Sequence, residues 1–148
     1  MFYIILIPWI ILDFITKNLA NTYLQNKISI LWDFFYLQYA ENTWIAFSIQ
    51  IPSFFLKTLT LTLIIAIFYY YKTEKKKISP QKKQNLLLDI SFWLILAGAI
   101  WNAIWRIFHS YVIDFIWIQY FSIFNMADIY INLWALLYIY LLIKNRNL

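Results

Sequence analysis

Two aspartates, Asp114 in the stretch YVIDF and Asp128 in the stretch FNMAD, are the residues of this 148-residue chain best suited to acid–base chemistry. Two neighbouring carboxylates resist ionising together, so one pKa rises and the pair holds a shared proton. The ionised member can then take a proton from water, while the protonated member acts as a general acid. The chain has no cysteine and one histidine, His109, which excludes thiol nucleophiles and cysteine metal sites and makes a zinc site unexpected.

Composition indicates the solvent in which these residues must be positioned. Apolar residues make up 64 % of the chain and charged residues only 13 %, about half the usual share of roughly 25 % in soluble domains. A soluble chain of this length could not bury so much apolar surface, so we predict a membrane protein. Four hydrophobic segments are each near the ~20 residues that a spanning helix needs. They lie at about 1–20, 53–71, 86–105 and 124–143. The first lacks the basic start and the small-residue cleavage site of a signal peptide, so we expect it to remain as a span.

Lysines predict the orientation of these spans. The connection 72–85 begins with KTEKKKISPQKK, which carries six lysines, and KNRNL follows the last span. The positive-inside rule assigns both to the cytoplasm. With four spans, the N-terminus is then also cytoplasmic, and the segments 21–52 and 106–123 are extracytoplasmic. The net charge of +5 is therefore explained by topology, and we expect no nucleic-acid partner.

The predicted fold class is an all-α membrane protein with four transmembrane helices in a single domain, 1–148. A small extracytoplasmic segment follows the first helix. Its stretch ISILWDFFYLQYA is rich in aromatic and β-branched residues, a composition that favours short strands lying on the membrane.

Polar residues converge on the outer boundary of this predicted bundle. Ionisable groups in or beside a span are costly and by default suggest function. Asp13 and Lys17 are four residues apart, as are Asn102 and Arg106, so each pair shares one helix face. The boundary group is Asp13, Asn42, Arg106, Asp114 and Asp128. Because the orientation was derived from lysines alone, this convergence is independent evidence for one site.

Purely structural roles are the alternative for several of these residues. Asp13 and Lys17 could form an ion pair that only orients the helix. Asn125 and Asp128 could be an N-cap and a first-turn acid that stabilise the start of the last helix. For Asp128 alone, this alternative is as good as catalysis. The nearby Asp114 favours the shared-proton pair over two unrelated structural roles.

Five stretches resemble, in order, the sequence blocks of the lipoprotein signal peptidases (signal peptidase II), which are four-span aspartic endopeptidases of bacterial membranes. They are LDFITK (12–17), ENTWIAFS (41–48), GAIWNAIWRI (98–107), YVIDF (111–115) and FNMAD (124–128). The resemblance covers nearly the whole chain. It implies that Asp114 and Asp128 are the catalytic dyad and that Asp13 and Lys17 support the site. It also implies that the substrate is held by Asn42, Asn102, Arg106 and Asn125.

The implied substrate is a prolipoprotein whose cysteine bears diacylglycerol, cut just before that cysteine to release the signal peptide. The resemblance implies no cofactor and no metal. We expect a monomer in contact with membrane lipids, located in the bacterial cytoplasmic (inner) membrane as a multi-pass protein. Both termini would be cytoplasmic and the active site would lie at the extracytoplasmic face.

Glycine and tryptophan depart from the pattern of this family. The chain has one glycine and eight tryptophans, whereas average usage predicts about ten glycines. Trp44 and Trp101 stand where the family blocks have glycine, Trp105 replaces an aspartate, and Trp134 lies in the last span, where glycine is common. Tryptophan at a close-packed glycine site should overpack the contact. We hypothesise that several arise from UGA codons in a lineage that reads UGA as glycine. UGG codons at 44, 101 and 134 would refute this.

Two other functions remain open at this point. If the tryptophans are genuine, a catalytically inactive relative that binds lipoprotein or signal peptide is an alternative. The other is a small proton-coupled transporter with Asp114 and Asp128 as a proton relay. A transporter predicts acids buried in mid-span and an internal repeat, and the sequence has neither.

Overall fold

The four hydrophobic segments form four long α-helices, and the connections on one side of them form a small sheet. The computed structural model describes residues 2–43, 52–76 and 82–146. The helices are α1 (Phe2–Tyr23), α2 (Ser53–Lys75), α3 (Lys82–His109) and α4 (Met126–Arg146). The strands are β1 (Ile28–Leu31), β2 (Phe35–Asn42), β3 (Val112–Ile118) and β4 (Ser122–Phe124).

The sheet is antiparallel throughout, with the strand order β1-β2-β3-β4. The all-α prediction is therefore incomplete. Strands β1 and β2 form within 21–52, as expected, but β3 and most of β4 lie in or next to 106–123, where no strand was predicted. The stretch VIDFIWI consists of β-branched and aromatic residues apart from Asp114, and its first five residues are buried. Such a composition fits a central strand. In the β2–β3 register, Ala40 pairs with Asp114 and Asn42 pairs with Val112.

Many large apolar side chains are exposed and several charged or polar ones are buried, unlike in a soluble protein. Asp13, Lys17 and Asn125 are fully buried, whereas Ile65 of α2 and Leu136 of α4 are more than 65 % exposed. In water, large apolar side chains bury and charged ones stay outside. Within the described ranges, Phe54–Thr73 and Leu86–His109 are long and apolar enough to cross a membrane, and Met126–Leu141 is a shorter apolar stretch. The exterior of the helices is therefore suited to lipid.

Helix α3 is the centre of the bundle, because it packs against α1, α2 and α4. The single glycine of the chain, Gly98, lies where α3 meets α4. A Cβ atom at this position would approach Cγ1 of Ile131 to 2.7 Å and Cε2 of Tyr130 to 2.9 Å. Tyr130 is itself buried and has little room to move. Gly98 therefore permits a close helix approach that any other residue would disturb.

We predict that Gly98→Ala lowers the free energy of unfolding by about 1–3 kcal/mol, since the added methyl overpacks a contact that cannot relax freely. The measurement is the thermal unfolding midpoint of the purified protein in detergent. Ile100→Ala, on the exposed side of the same helical turn, is the control and should have the smaller effect. A midpoint for Gly98→Ala equal to that of the unchanged protein would contradict the prediction.

Candidate active site

Polar side chains meet at the junction between the sheet and the ends of the helices. Strand β3 begins three residues after α3 ends, and only Asn125 separates β4 from α4. These short links force Asp114 on β3 and Asp128 in the first turn of α4 to lie on either side of Asn125. Asn125 is fully buried, and Asp114 is 3 % exposed, so the junction excludes most solvent.

Asp114 accepts one amide hydrogen bond on each carboxylate oxygen. Asn42 Nδ2 donates to Oδ2 at 2.6 Å, and Asn125 Nδ2 donates to Oδ1 at 2.6 Å. The β2–β3 register explains the first contact, because Ala40 pairs with Asp114 and Asn42 lies two residues further along the same face of β2. The carboxyl group is thus fixed from two elements far apart in the sequence.

Asp128 is fixed by the start of its own helix and by α3. The main-chain N–H of Asn125 donates to Asp128 Oδ2 at 3.1 Å, and the N–H of Asp128 donates to Asn125 Oδ1 at 3.1 Å. This reciprocal pair is a capping box, so the N-cap interpretation of Asn125 is confirmed. Asn102 Nδ2 donates to Asp128 Oδ1 at 3.0 Å. Asn125 therefore binds both aspartates, with its side chain toward Asp114 and its main chain toward Asp128.

Burial raises the pKa of Asp114 to about 7, and the negative charge of Asp128 is the next largest cause. Burial favours the neutral form of an acid, and a second carboxylate nearby does the same. The amides of Asn42 and Asn125 and the charge of Lys17 act in the opposite direction but are smaller. Asp114 can therefore carry a proton close to neutral pH, as expected for one member of a carboxylate pair.

Two cations face these carboxylates. Lys17 is fully buried, with its Nζ 2.5 Å from Asp13 Oδ2. Arg106, on α3, lies close enough for its charge to act on both Asp114 and Asp128. Within the described parts of the chain, its buried Nε has no hydrogen-bond partner. The junction thus has a donor to offer to a group that enters from outside.

The structure brings together all eight residues that the sequence indicated: Asp13, Lys17, Asn42, Asn102, Arg106, Asp114, Asn125 and Asp128. The amides of Asn42, Asn102 and Asn125 hydrogen-bond the two aspartates, and their expected role in holding substrate stays a prediction. One contact of the site was not predicted: the main-chain N–H of Ala127 donates to Asp13 Oδ1 at 2.8 Å. A helix start next to a distant acid gives no sequence signal for such a contact.

Two of the unusual tryptophans, Trp101 and Trp105, stand next to the site residues Asn102 and Arg106 on α3. Trp101 packs edge-on against Phe14, with ring centroids 6.3 Å apart, and its buried Nε1 has no partner among the described residues. Trp105 lies 4.5 Å from the ring of His109. Trp44 is outside the described residues. The hypothesis that some tryptophan codons are read as glycine stays a prediction.

The raised pKa of Asp114 makes stability depend on pH. The ordinary pKa of an aspartate is 3.8, whereas that of the folded Asp114 is about 7, so folding takes up a proton between these values. The stabilisation is complete below pH 3.8 and is lost as the pH rises through about 7. The groups that face Asp114 are Asn42, Asn125, Asp128 and Lys17.

We therefore predict that the unfolding midpoint of the unchanged protein falls more steeply from about pH 4 to about pH 8 than that of Asp114→Asn. The measurement is thermal unfolding of both proteins in one detergent across this range. The quantity compared is the slope of the unfolding midpoint against pH. A substitution that lowers the midpoint by the same amount at every pH does not change this slope. Parallel curves would show that Asp114 does not titrate with a raised pKa.

Comparison with known proteins identifies the family of this chain. The family described as Signal peptidase (SPase) II matches residues 5–144. The lipoprotein signal peptidase of Clostridium tetani is 38 % identical over 149 residues, covering 95 % of this chain and 91 % of the relative. That of Chlorobium phaeobacteroides is 33 % identical, covering 85 % of each.

Two solved structures, each described as a bacterial membrane enzyme, are also similar. The first has a TM-score of 0.76 at 25 % identity, covering 98 % of this chain and 88 % of the other. The second has a TM-score of 0.74 at 25 % identity, covering 97 % and 93 %. The resemblance of the five sequence blocks is thus confirmed, and this chain belongs to the signal peptidase II family.

Proposed function

We propose that this chain is an aspartic endopeptidase that removes signal peptides from prolipoproteins, with Asp114 and Asp128 as its catalytic pair. The observation that carries the catalytic assignment is the position of Asn125, which bonds both carboxyl groups in one buried junction. Membership of the signal peptidase II family and the names of the relatives support the substrate class.

In the proposed mechanism, Asp128 is the ionised member and Asp114 the protonated one. Asp128 is assigned the ionised role because the main-chain N–H of Asn125 and the positive charges of Lys17 and Arg106 face its carboxylate. Asp128 takes a proton from water as the water oxygen bonds to the scissile carbonyl carbon, and Asp114 gives its proton to the carbonyl oxygen. The C–N bond then breaks as Asp128 gives the proton taken from water to the leaving amine, while one hydroxyl of the tetrahedral intermediate returns a proton to Asp114 and the new carboxyl group forms. No covalent intermediate with the enzyme forms.

The lipid-suited exterior supports a membrane setting for this reaction. We propose that α1, α2, α3 and α4 all span the bacterial inner membrane, with both termini in the cytoplasm and the sheet outside. A prolipoprotein whose cysteine carries diacylglycerol is held in the bilayer by its acyl chains and signal peptide. It can therefore approach sideways, with the acyl chains in lipid and the scissile bond at the junction. The protein would act as a monomer.

We predict that Asp114→Asn and Asp128→Asn each lower the rate of precursor cleavage by at least about 10²-fold, since each removes one acid–base partner. The assay uses purified protein and a diacylglyceryl-modified precursor, and follows release of the signal peptide. Asp33→Asn is the matched control, because Asp33 is exposed in the turn between β1 and β2. Near-normal cleavage by either active-site variant would remove the dyad assignment.

If the unchanged protein and both variants are folded and none of them cleaves, the chain is the inactive binding relative. This second function is suggested by Trp105, which stands beside Arg106 where the family blocks have an aspartate; its ring lies 4.5 Å from that of His109 and 5.7 Å from Lys17 Nζ. Binding of the uncleaved precursor to the unchanged protein would then be the activity to measure.

The proposed orientation gives a separate prediction. The chain has no cysteine, so a single introduced cysteine is labelled specifically. In spheroplasts, a membrane-impermeant maleimide should label Tyr120→Cys, in the exposed turn between β3 and β4. Lys76→Cys should be labelled only after the membrane is permeabilised. The reverse pattern would show that the protein is inserted with the sheet inside.

A further inference from the structure

A buried ion pair connects the first helix to the start of the last one. Asp13 and Lys17 are both fully buried, and Nζ of Lys17 is 2.5 Å from Asp13 Oδ2. The other oxygen of Asp13 accepts the N–H of Ala127, which is one of the unpaired amides at the start of α4. Neither side chain reaches solvent, so neither is placed to touch a substrate directly.

The ammonium group of Lys17 also determines which way the amide of Asn102 points. Nζ donates to Asn102 Oδ1 at 2.9 Å, and Asn102 Nδ2 donates to Asp128 Oδ1 at 3.0 Å. An ammonium group has only donors and a carboxylate only acceptors. A reversed Asn102 amide would therefore set donor against donor at Lys17 and acceptor against acceptor at Asp128. Asn125 Nδ2 also donates to Asn102 Oδ1, but over a longer distance of 3.4 Å, so Lys17 is the nearer donor that favours this orientation.

We propose that Lys17 is a positioning residue of the peptidase: through the amide of Asn102, it holds Asp128 in the place where Asp128 activates water. This inference rests on the proposed function. The path runs across three helices, from Lys17 on α1 through Asn102 on α3 to Asp128 on α4. Lys17 acts without contacting the substrate, so its loss should affect the chemical step more than binding.

A neutral double variant tests this without leaving a buried charge unpaired. Lys17→Met alone would strand the Asp13 carboxylate, which destabilises strongly. Asp13→Asn/Lys17→Met removes both charges and also the donor to Asn102. We expect kcat to fall on the order of 10²-fold, as small displacements of a catalytic group can do. We expect KM to change by less than about threefold, because the substrate contacts remain.

Asp13→Asn/Lys17→Gln separates positioning from packing. Glutamine and methionine are similar in size and both variants are neutral, but only glutamine offers an N–H to Asn102 Oδ1. If Lys17 acts as a donor, the glutamine variant should recover about tenfold in kcat over the methionine variant. If Lys17 only fills space, methionine should be the better replacement, and that result would overturn the inference.

The cytoplasmic half of the bundle offers a matched control pair. Lys75 Nζ lies 2.6 Å from Asp89 Oδ2, and Asp89 is about 20 Å along α3 from Asn102. Lys75→Met/Asp89→Asn makes the same chemical change there and should leave kcat unaltered. A loss of kcat equal to that of the Lys17 variant would mean that any lysine–aspartate deletion disturbs the bundle, and it would also overturn the inference.

If the Asp13/Lys17 variants do not fold, Asn102→Leu provides the decisive measurement. It keeps the Asp13–Lys17 ion pair and removes the N–H donor to Asp128, so the same loss of kcat is expected. An unchanged kcat would overturn the inference while leaving the endopeptidase assignment intact. An unchanged protein that does not cleave the precursor would instead overturn the proposed function, and the inference with it.

Discussion

Polar side chains inside a lipid-facing bundle must find their hydrogen-bond partners within the protein, and this constraint shapes the whole site. An unpaired buried carboxylate or amide costs several kcal/mol, and lipid offers no partner. Asp13, Lys17, Asn102 and Asn125 are therefore drawn to one place, where each hydrogen bond fixes the next group. The same requirement that penalises isolated polar residues thus assembles a rigid cluster around Asp114 and Asp128.

The sheet supplies what helices alone could not. The side chains of a helix project outward from its own axis, so a helix of the bundle can place them only beside itself. Asp114 instead faces the start of α4 from outside the bundle. Strand β3 achieves this because it leaves α3 after a short link and pairs with β2 across most of its length. That pairing brings Asn42 onto Asp114. The raised pKa of Asp114 follows from this enclosed position and not from the aspartate itself.

The sequence was sufficient to predict the helices and a set of polar residues that the structure brings together, but not the contacts among them. Apolar runs of span length and the four-residue spacing of Asp13 and Lys17 are local signals, and both predictions hold. The pairing of β2 with β3 joins segments about seventy residues apart, and hydrophobic patterns give no such register. For the same reason, the bonds from the amides of Asn42, Asn102 and Asn125 to the two aspartates had no sequence signal, since an asparagine in a sequence does not indicate its partner.

Stability and chemistry share the same hydrogen bonds at the start of α4. The capping box that starts the helix is formed by Asn125 and Asp128, so the group proposed to activate water also satisfies an orphan amide. Gly98 extends this coupling, because the close approach of α3 to α4 lies one turn before Asn102 on α3. Any bulk that separates these helices must also lengthen the bond between Asn102 and Asp128. The single glycine of this chain therefore lies where helix packing sets the geometry of the carboxylate that is proposed to react.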